Sequence, residues 1–168
     1  MPDVLSIVLE VRLPEHARRR AIYALSSAVR NSHKAQSALE EEGGASHLGA
    51  LAQNRTETVP LRKKAIVLTS DLVSSGMPVE RAWGEAHTQA ACDLLAEDSL
   101  DVQEKALAAL QVVLERETYA AENMTRRGVG ECVQNLREQL DAKESEFAAD
   151  VKAQTSAVLS ALDKHKNR

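Results

Sequence analysis

A single helical pattern recurs three times along these 168 residues. Arg20-Ala21-Ile22-Tyr23-Ala24-Leu25 is echoed by Lys64-Ala65-Ile66-Val67-Leu68-Thr69 and again by Lys105-Ala106-Leu107-Ala108-Ala109-Leu110. The copies begin 44 and then 41 residues apart. In each copy the alanine and the first, fourth and eighth residues after it form a stripe: Ala21, Ile22, Leu25, Val29; Ala65, Ile66, Thr69, Val73; Ala106, Leu107, Leu110, Leu114. That spacing places the stripe on one helical face, where a stacked neighbour can bury it.

A repeat of about 40 residues is a unit of two or three helices that cannot cover its apolar face alone, so successive units stack into a continuous core. The period lies in the armadillo and HEAT range. The expectation is an all-α, armadillo/HEAT-like helical solenoid, a right-handed superhelix of stacked helices that offers a binding surface rather than a reaction vessel. Aromatic residues make up only 2% of the chain, so its core must be Ala, Leu and Val between closely packed helices, which suits a sheet poorly. A net charge of −4 argues against nucleic acid as the main partner. No stretch approaches the roughly 20 apolar residues needed to span a bilayer, so membrane insertion is not expected.

Punctuation residues divide the chain into expected helices over 3–11, 15–30, 34–42, 45–53, 58–75, 79–97, 100–117, 119–127, 129–141 and 143–165. Pro14 and Pro60 sit at helix starts, where a missing N–H does no harm. Gly43-Gly44 breaks residues 34–53 into two short helices, and Gly76 with Pro78 closes a long one. The short, short, long rhythm is clearest over residues 34–75. Residues 1–14 read as the remnant of an upstream helical unit, since the apolar run Val4–Val11 contains Glu10 and lacks a signal peptide's basic start and cleavage site. Residues 15–142 carry the armadillo-like repeats. Residues 143–168 form a polar capping helix and short tail, with Val151, Ala157/Val158, Leu159 and Leu162 as its apolar stripe.

Nothing in the chain assembles into catalytic chemistry, and the protein reads as a non-enzyme without cofactor or metal. Glu40-Glu41-Glu42 lacks a nearby His, a paired acid or metal-ligand spacing, and reads as a solvated helix end. The five histidines are scattered without a shared face. Gly128-Val129-Gly130 is too short for a phosphate loop. Cys92 and Cys132 lie one repeat apart, either as small core residues or as a disulfide between neighbouring units. The basic openings Arg18-Arg19-Arg20 and Arg62-Lys63-Lys64 are either hydrated edges or a partner-facing patch. Asn54-Arg55-Thr56 and Asn123-Met124-Thr125 match the glycosylation acceptor pattern in expected connections, which is suggestive of a secretory lumen.

These same segments carry a family resemblance. Arg18–Arg30, Gly43-Gly44, Arg62–Val73, Trp83 and Glu104–Leu114 together resemble the armadillo domain of heat-shock-70 nucleotide exchange factors. The likeness is greatest to the endoplasmic-reticulum Sil-one family, which serves the lumenal chaperone BiP. Cytosolic Fes-type relatives look similar over residues 15–75. The resemblance implies a monomeric co-chaperone in the endoplasmic-reticulum lumen, with the cytoplasm as the alternative. It would bind the nucleotide-binding domain of an Hsp70-class, BiP-like chaperone and speed ADP release. That work needs no catalytic group, because preferring the opened, nucleotide-weak state shifts the chaperone's population towards it.

The expected contact residues are the polar row beside the buried stripe: Arg19, Tyr23, Ser27 and Arg30, then Lys63 and Asp71, with Glu104 as a weaker member. Peptide-carrying armadillo proteins such as importin-alpha and beta-catenin repeat a Trp and an Asn along this row. Here the matching pairs are Tyr23 and Ser27, Val67 and Asp71, Ala108 and Val112, so a backbone-clamping ladder is not expected. The alternative to the exchange factor is an armadillo/HEAT scaffold or interaction fragment with no chaperone partner.

Overall fold

The computed structural model describes residues 2–30, 32–77, 81–116, 124–142 and 146–166, which form helices and turns. In chain order the helices are α1 (Pro2–Leu9), α2 (Glu15–Val29), α3 (His33–Glu41), α4 (Gly44–Gln53), α5 (Val59–Ser74), α6 (Arg81–Leu95), α7 (Leu100–Arg116), α8 (Val129–Asp141) and α9 (Glu146–Lys166). These follow the sequence expectation to within a few residues at each end. The exception is the helix expected over 119–127, of which only 124–127 falls among the described residues, with 124–126 helical and 127 in a turn.

The chain packs as two compact units, Met1–His87 and Thr88–Arg168. In the first, α1 lies on α2, α4 on α5, and α2 against α5, with α3 touching both α2 and α4. In the second, α9 lies against both α7 and α8. All twelve residues of the repeated stripe are buried, from Ala21 to Leu114. Thr69, the one polar member, returns its hydroxyl to the Ala65 carbonyl at 2.8 Å and so brings no unsatisfied group into the core. On α9 the buried residues are Ala148, Val151, Thr155, Val158 and Leu162, while Ala157 is exposed and Leu159 half-buried. Each fully buried aliphatic side chain contributes about 1.5–3 kcal/mol, several times any difference in helix propensity.

A second repeat runs through the junctions. A helix leaves its last carbonyls without an intrahelical partner, and those buried by stacking must find one. At four junctions the fourth residue of a helix donates to a carbonyl at the end of the helix before it. Arg18 Nε bonds the Val8 carbonyl at 2.8 Å, Gln36 Nε2 bonds Val29 at 2.8 Å, and Arg62 Nε bonds Ala52 at 2.9 Å. Gln103 Nε2 reaches Leu95 at 3.5 Å and Glu97 at 2.8 Å. The geometry follows from helical side chains leaning towards their own N-terminus, which aims the fourth residue back over the preceding turn. Arg18 also pairs bidentately with Glu57, at 2.7 and 2.8 Å, tying α2 to the connection that leads into α5.

This corrects one reading of the basic openings. Arg18 and Arg62 are buried, so neither belongs to a hydrated edge or a partner-facing patch. The remaining junction in the first unit uses glycine. Gly43 closes α3 with φ +65°, the left-handed geometry in which a side chain is strained. A Cβ on the next residue, Gly44, would collide with the Leu39 side chain and lie 2.8 Å from its carbonyl oxygen.

Two stability predictions follow from these contacts. Glu57→Gln strips the carboxylate from a buried guanidinium and should cost about 3–5 kcal/mol in urea unfolding. Pairing it with Arg18→Met should recover part of that loss, and a purely additive double variant would disprove the coupling. Gly44→Ala should cost about 1–3 kcal/mol by overpacking Leu39. Gly130→Ala, whose Cβ would meet nothing within 4 Å, should be neutral or stabilising by up to about 1 kcal/mol. Equal melting shifts for the two alanine variants would contradict this packing.

Candidate functional site

With the stripe turned inward, each long helix exposes the row beside it. On α2 that row is Arg19, Tyr23, Ser27 and Arg30, and on α5 it is Lys63, Val67 and Asp71. Two contacts join the helices. Lys64 Nζ sits 3.9 Å from the centroid of the Tyr23 ring, and Arg30 Nη2 meets Asp71 Oδ2 at 3.1 Å. Each contact links residues 41 apart, and both partners advance by two helical turns from one contact to the next. The two helices therefore run side by side in the same direction. Six of the seven expected contact residues share this face of the first unit. The seventh, Glu104, belongs to the second unit, half-buried on α7 and paired with Lys105 at 3.1 Å.

The two ends of the face differ electrostatically. Towards the C-terminal ends of the helices, Arg30 and Asp71 neutralise each other, and Ser26 Oγ accepts a further bond from Arg30 at 3.4 Å. Towards the N-terminal ends cations predominate: half-buried Arg19, Lys63 and Lys64 lie close to the ring of Tyr23. Glu15 lies 3.6 Å from Arg19, but an exposed pair one helical turn apart contributes only about 0.3–0.5 kcal/mol. Tyr23, 48% exposed, is a large ring held on the surface by a cation rather than by burial. Hydrogen bonding from Lys64 holds its phenol below the ordinary value against slight desolvation, with the charges of Lys64, Arg19 and Lys63 adding to the effect. An exposed amphipathic ring with cations beside it gives this end of the face a positive, partly aromatic character.

Other candidates resolve separately. Asn54 follows α4 on an exposed turn in which its Oδ1 accepts from both the backbone N–H and the hydroxyl of Thr56, at 3.1 and 2.8 Å. Asn123 lies outside the described residues, as does the side chain of Trp83. Glu40, Glu41 and Glu42 are exposed at the end of α3. His87 is fully buried, with Nε2 3.3 Å from the Ser70 hydroxyl, a contact the sequence pattern did not signal. Among the described residues, no group of three or more His, Cys, Asp or Glu could hold a metal ion, and no helix is long and apolar enough to cross a membrane.

No family profile matches the chain, and no curated protein is similar to it. Similarity to solved structures is found. The crystal structure of an engineered protein aligns over 99% of this chain and 69% of its own, with a TM-score of 0.67 at 17% identity. A designed armadillo repeat protein aligns over 96% of this chain and 99% of its own, with a TM-score of 0.38 at 14% identity. At such identities the likeness is one of fold alone. That fold is all-α, built from stacked helices.

The Tyr23–Lys64 contact has a spectroscopic consequence. Lys64→Met should raise the Tyr23 titration towards the ordinary tyrosine value of about 10, read from tyrosinate absorbance. Tyr23→Phe identifies which of the chain's 2 tyrosines is being followed. An unmoved titration in Lys64→Met would remove the contact from the solution structure.

Proposed function

We propose that the chain is a protein-binding module of the helical-repeat type, and that the α2–α5 face of its first unit receives an acidic surface of a partner protein. One observation carries the reading: Tyr23 stands exposed among Arg19, Lys63 and Lys64 on two helices anchored by their buried stripes. A surface pre-organised in this way loses little conformational entropy on binding. No chemistry on the chain is required, since a binding module acts by favouring one state of its partner.

The finer reading is that the partner is the nucleotide-binding domain of an Hsp70-class chaperone in the endoplasmic-reticulum lumen, and that binding promotes ADP release. Its support is the resemblance of Arg18–Arg30, Arg62–Val73 and Glu104–Leu114 to the armadillo domain of the Sil-one family. For the compartment, the support is the exposed acceptor turn at Asn54. A scaffold that binds without regard to nucleotide is the competing reading, and the armadillo-like fold fits it equally well.

Charge reversal tests the face. Arg19→Glu with Lys63→Glu should weaken partner binding about tenfold or more, close to 1.4 kcal/mol, while circular dichroism and melting stay near wild type. The loss should shrink at high salt, where exposed charges are screened. Unchanged affinity in the folded double variant would remove this face from the interface. For the partner, the wild-type chain should capture a BiP-like chaperone, release it on addition of ATP and accelerate fluorescent ADP release in stopped flow. Nucleotide-indifferent capture would leave the scaffold reading in place.

A further inference from the structure

We propose that Asn54 is an N-glycosylation site, whose side-chain amide nitrogen receives an oligosaccharide from a lipid-pyrophosphate donor. Its occupancy in the cell rests on the lumenal part of the proposed reading and is independent of the chaperone partner. Of the acceptor segments Asn54-Arg55-Thr56 and Asn123-Met124-Thr125, the structure describes the first in full. All three of its residues are exposed, at the end of α4 where the chain turns towards α5. The Asn54 N–H donates to the Ala50 carbonyl at 3.0 Å, and the Asn54 carbonyl accepts from the Glu57 N–H at 3.0 Å, closing a turn around Arg55 and Thr56.

The turn fixes which end of the amide is offered outward. A backbone N–H can only donate, so the Asn54 atom 3.1 Å from the Thr56 nitrogen is the oxygen, and Nδ2 is turned away from it. Among the described residues no acceptor engages Nδ2. The Thr56 hydroxyl donates to the same Oδ1 at 2.8 Å. Hydrogen bonding at that oxygen draws electron density from the amide and eases loss of an N–H proton, which transfer demands. In that transfer Nδ2 bonds to the anomeric carbon of the donor sugar and the bond from that carbon to the pyrophosphate oxygen breaks. The lipid pyrophosphate leaves with the electron pair, and one Nδ2 proton passes to a base of the transferase. The fold tolerates the product because its anchors flank the acceptor. Arg62 holds the Ala52 carbonyl at 2.9 Å, and Arg18 holds the Glu57 carboxylate at 2.7 and 2.8 Å, so the chain is tied down before and after the exposed tip.

The test synthesises the full chain behind a cleavable secretory signal in the presence of endoplasmic-reticulum microsomes. Asn123→Gln serves as the background, so that Asn54-Arg55-Thr56 is the acceptor that remains. The expected result is a protease-protected chain with a mass increment that an endoglycosidase removes and peptide mapping places on Asn54. Asn54→Gln and Thr56→Ala should each lose the increment, while Thr56→Ser, which keeps the hydroxyl, should retain it. The glycosylated chain should keep its helicity and melt within about 2 °C of the unmodified form, as expected of a change on an exposed loop. Because the signal supplies entry, a protected chain without the increment overturns the site whatever compartment the native chain occupies. An increment that survives Asn54→Gln, or a glycosylated chain that has lost its helicity, also overturns it.

Discussion

The bond from the fourth residue of one helix to the terminal carbonyl of the helix before it sets much else in this molecule. Stacked helices can approach closely only if their ends bring no unsatisfied backbone groups with them, because each such group costs about 1–3 kcal/mol when buried. Water cannot serve at a junction closed by packing. A long side chain can, provided it starts from a position that leans back over the turn. Arg18, Gln36, Arg62 and Gln103 occupy that position and make those bonds. Because the donor and the buried stripe share one helix, satisfying the junction also fixes how that helix is rotated about its axis.

That rotation determines what solvent sees. With Arg18 and Arg62 turned towards the preceding helix ends and the stripe turned towards the core, the next residues round the helix must face outward. Arg19 and Lys63 are therefore surface residues for the same reason that their neighbours are not. The Tyr23–Lys64 and Arg30–Asp71 contacts are consequences of two helices rotated alike and laid side by side. Neither contact is strong enough to orient a helix by itself, since exposed ion pairs contribute about 0–1 kcal/mol.

The stripe was legible in the sequence because burial leaves a periodic apolar signal, and all of its positions are buried in the structure. The capping arginines were not, since a basic residue before an amphipathic helix reads as a hydrated edge. The third copy held the missing signal. Where the first two copies have Arg18 and Arg62, it has Gln103, and a position that accepts either a guanidinium or a neutral amide is selecting for hydrogen-bond donation rather than charge. Glu104 takes the equivalent place in the repeat register on its own helix, and that helix belongs to the second unit. The contact of His87 with Ser70 crosses between helices at a spacing that no periodicity encodes.

The same distinction explains what the family resemblance can and cannot carry. Of the residues that make it, the stripe members and the capping arginines are buried and report how helices stack. Any array with that period and close helix packing is under pressure to choose them, so they speak for architecture first. In the outward row the copies diverge: Tyr23, Val67 and Ala108 occupy one repeat position, and Ser27, Asp71 and Val112 another. A groove that grips extended backbone needs the same donor in every unit, because the peptide presents the same amide at every step. A row that changes character with each copy cannot supply one. On the proposed reading such a row suits a folded partner, whose surface also varies from point to point, and the place where an aromatic ring and several cations coincide is the N-terminal half of the α2–α5 face.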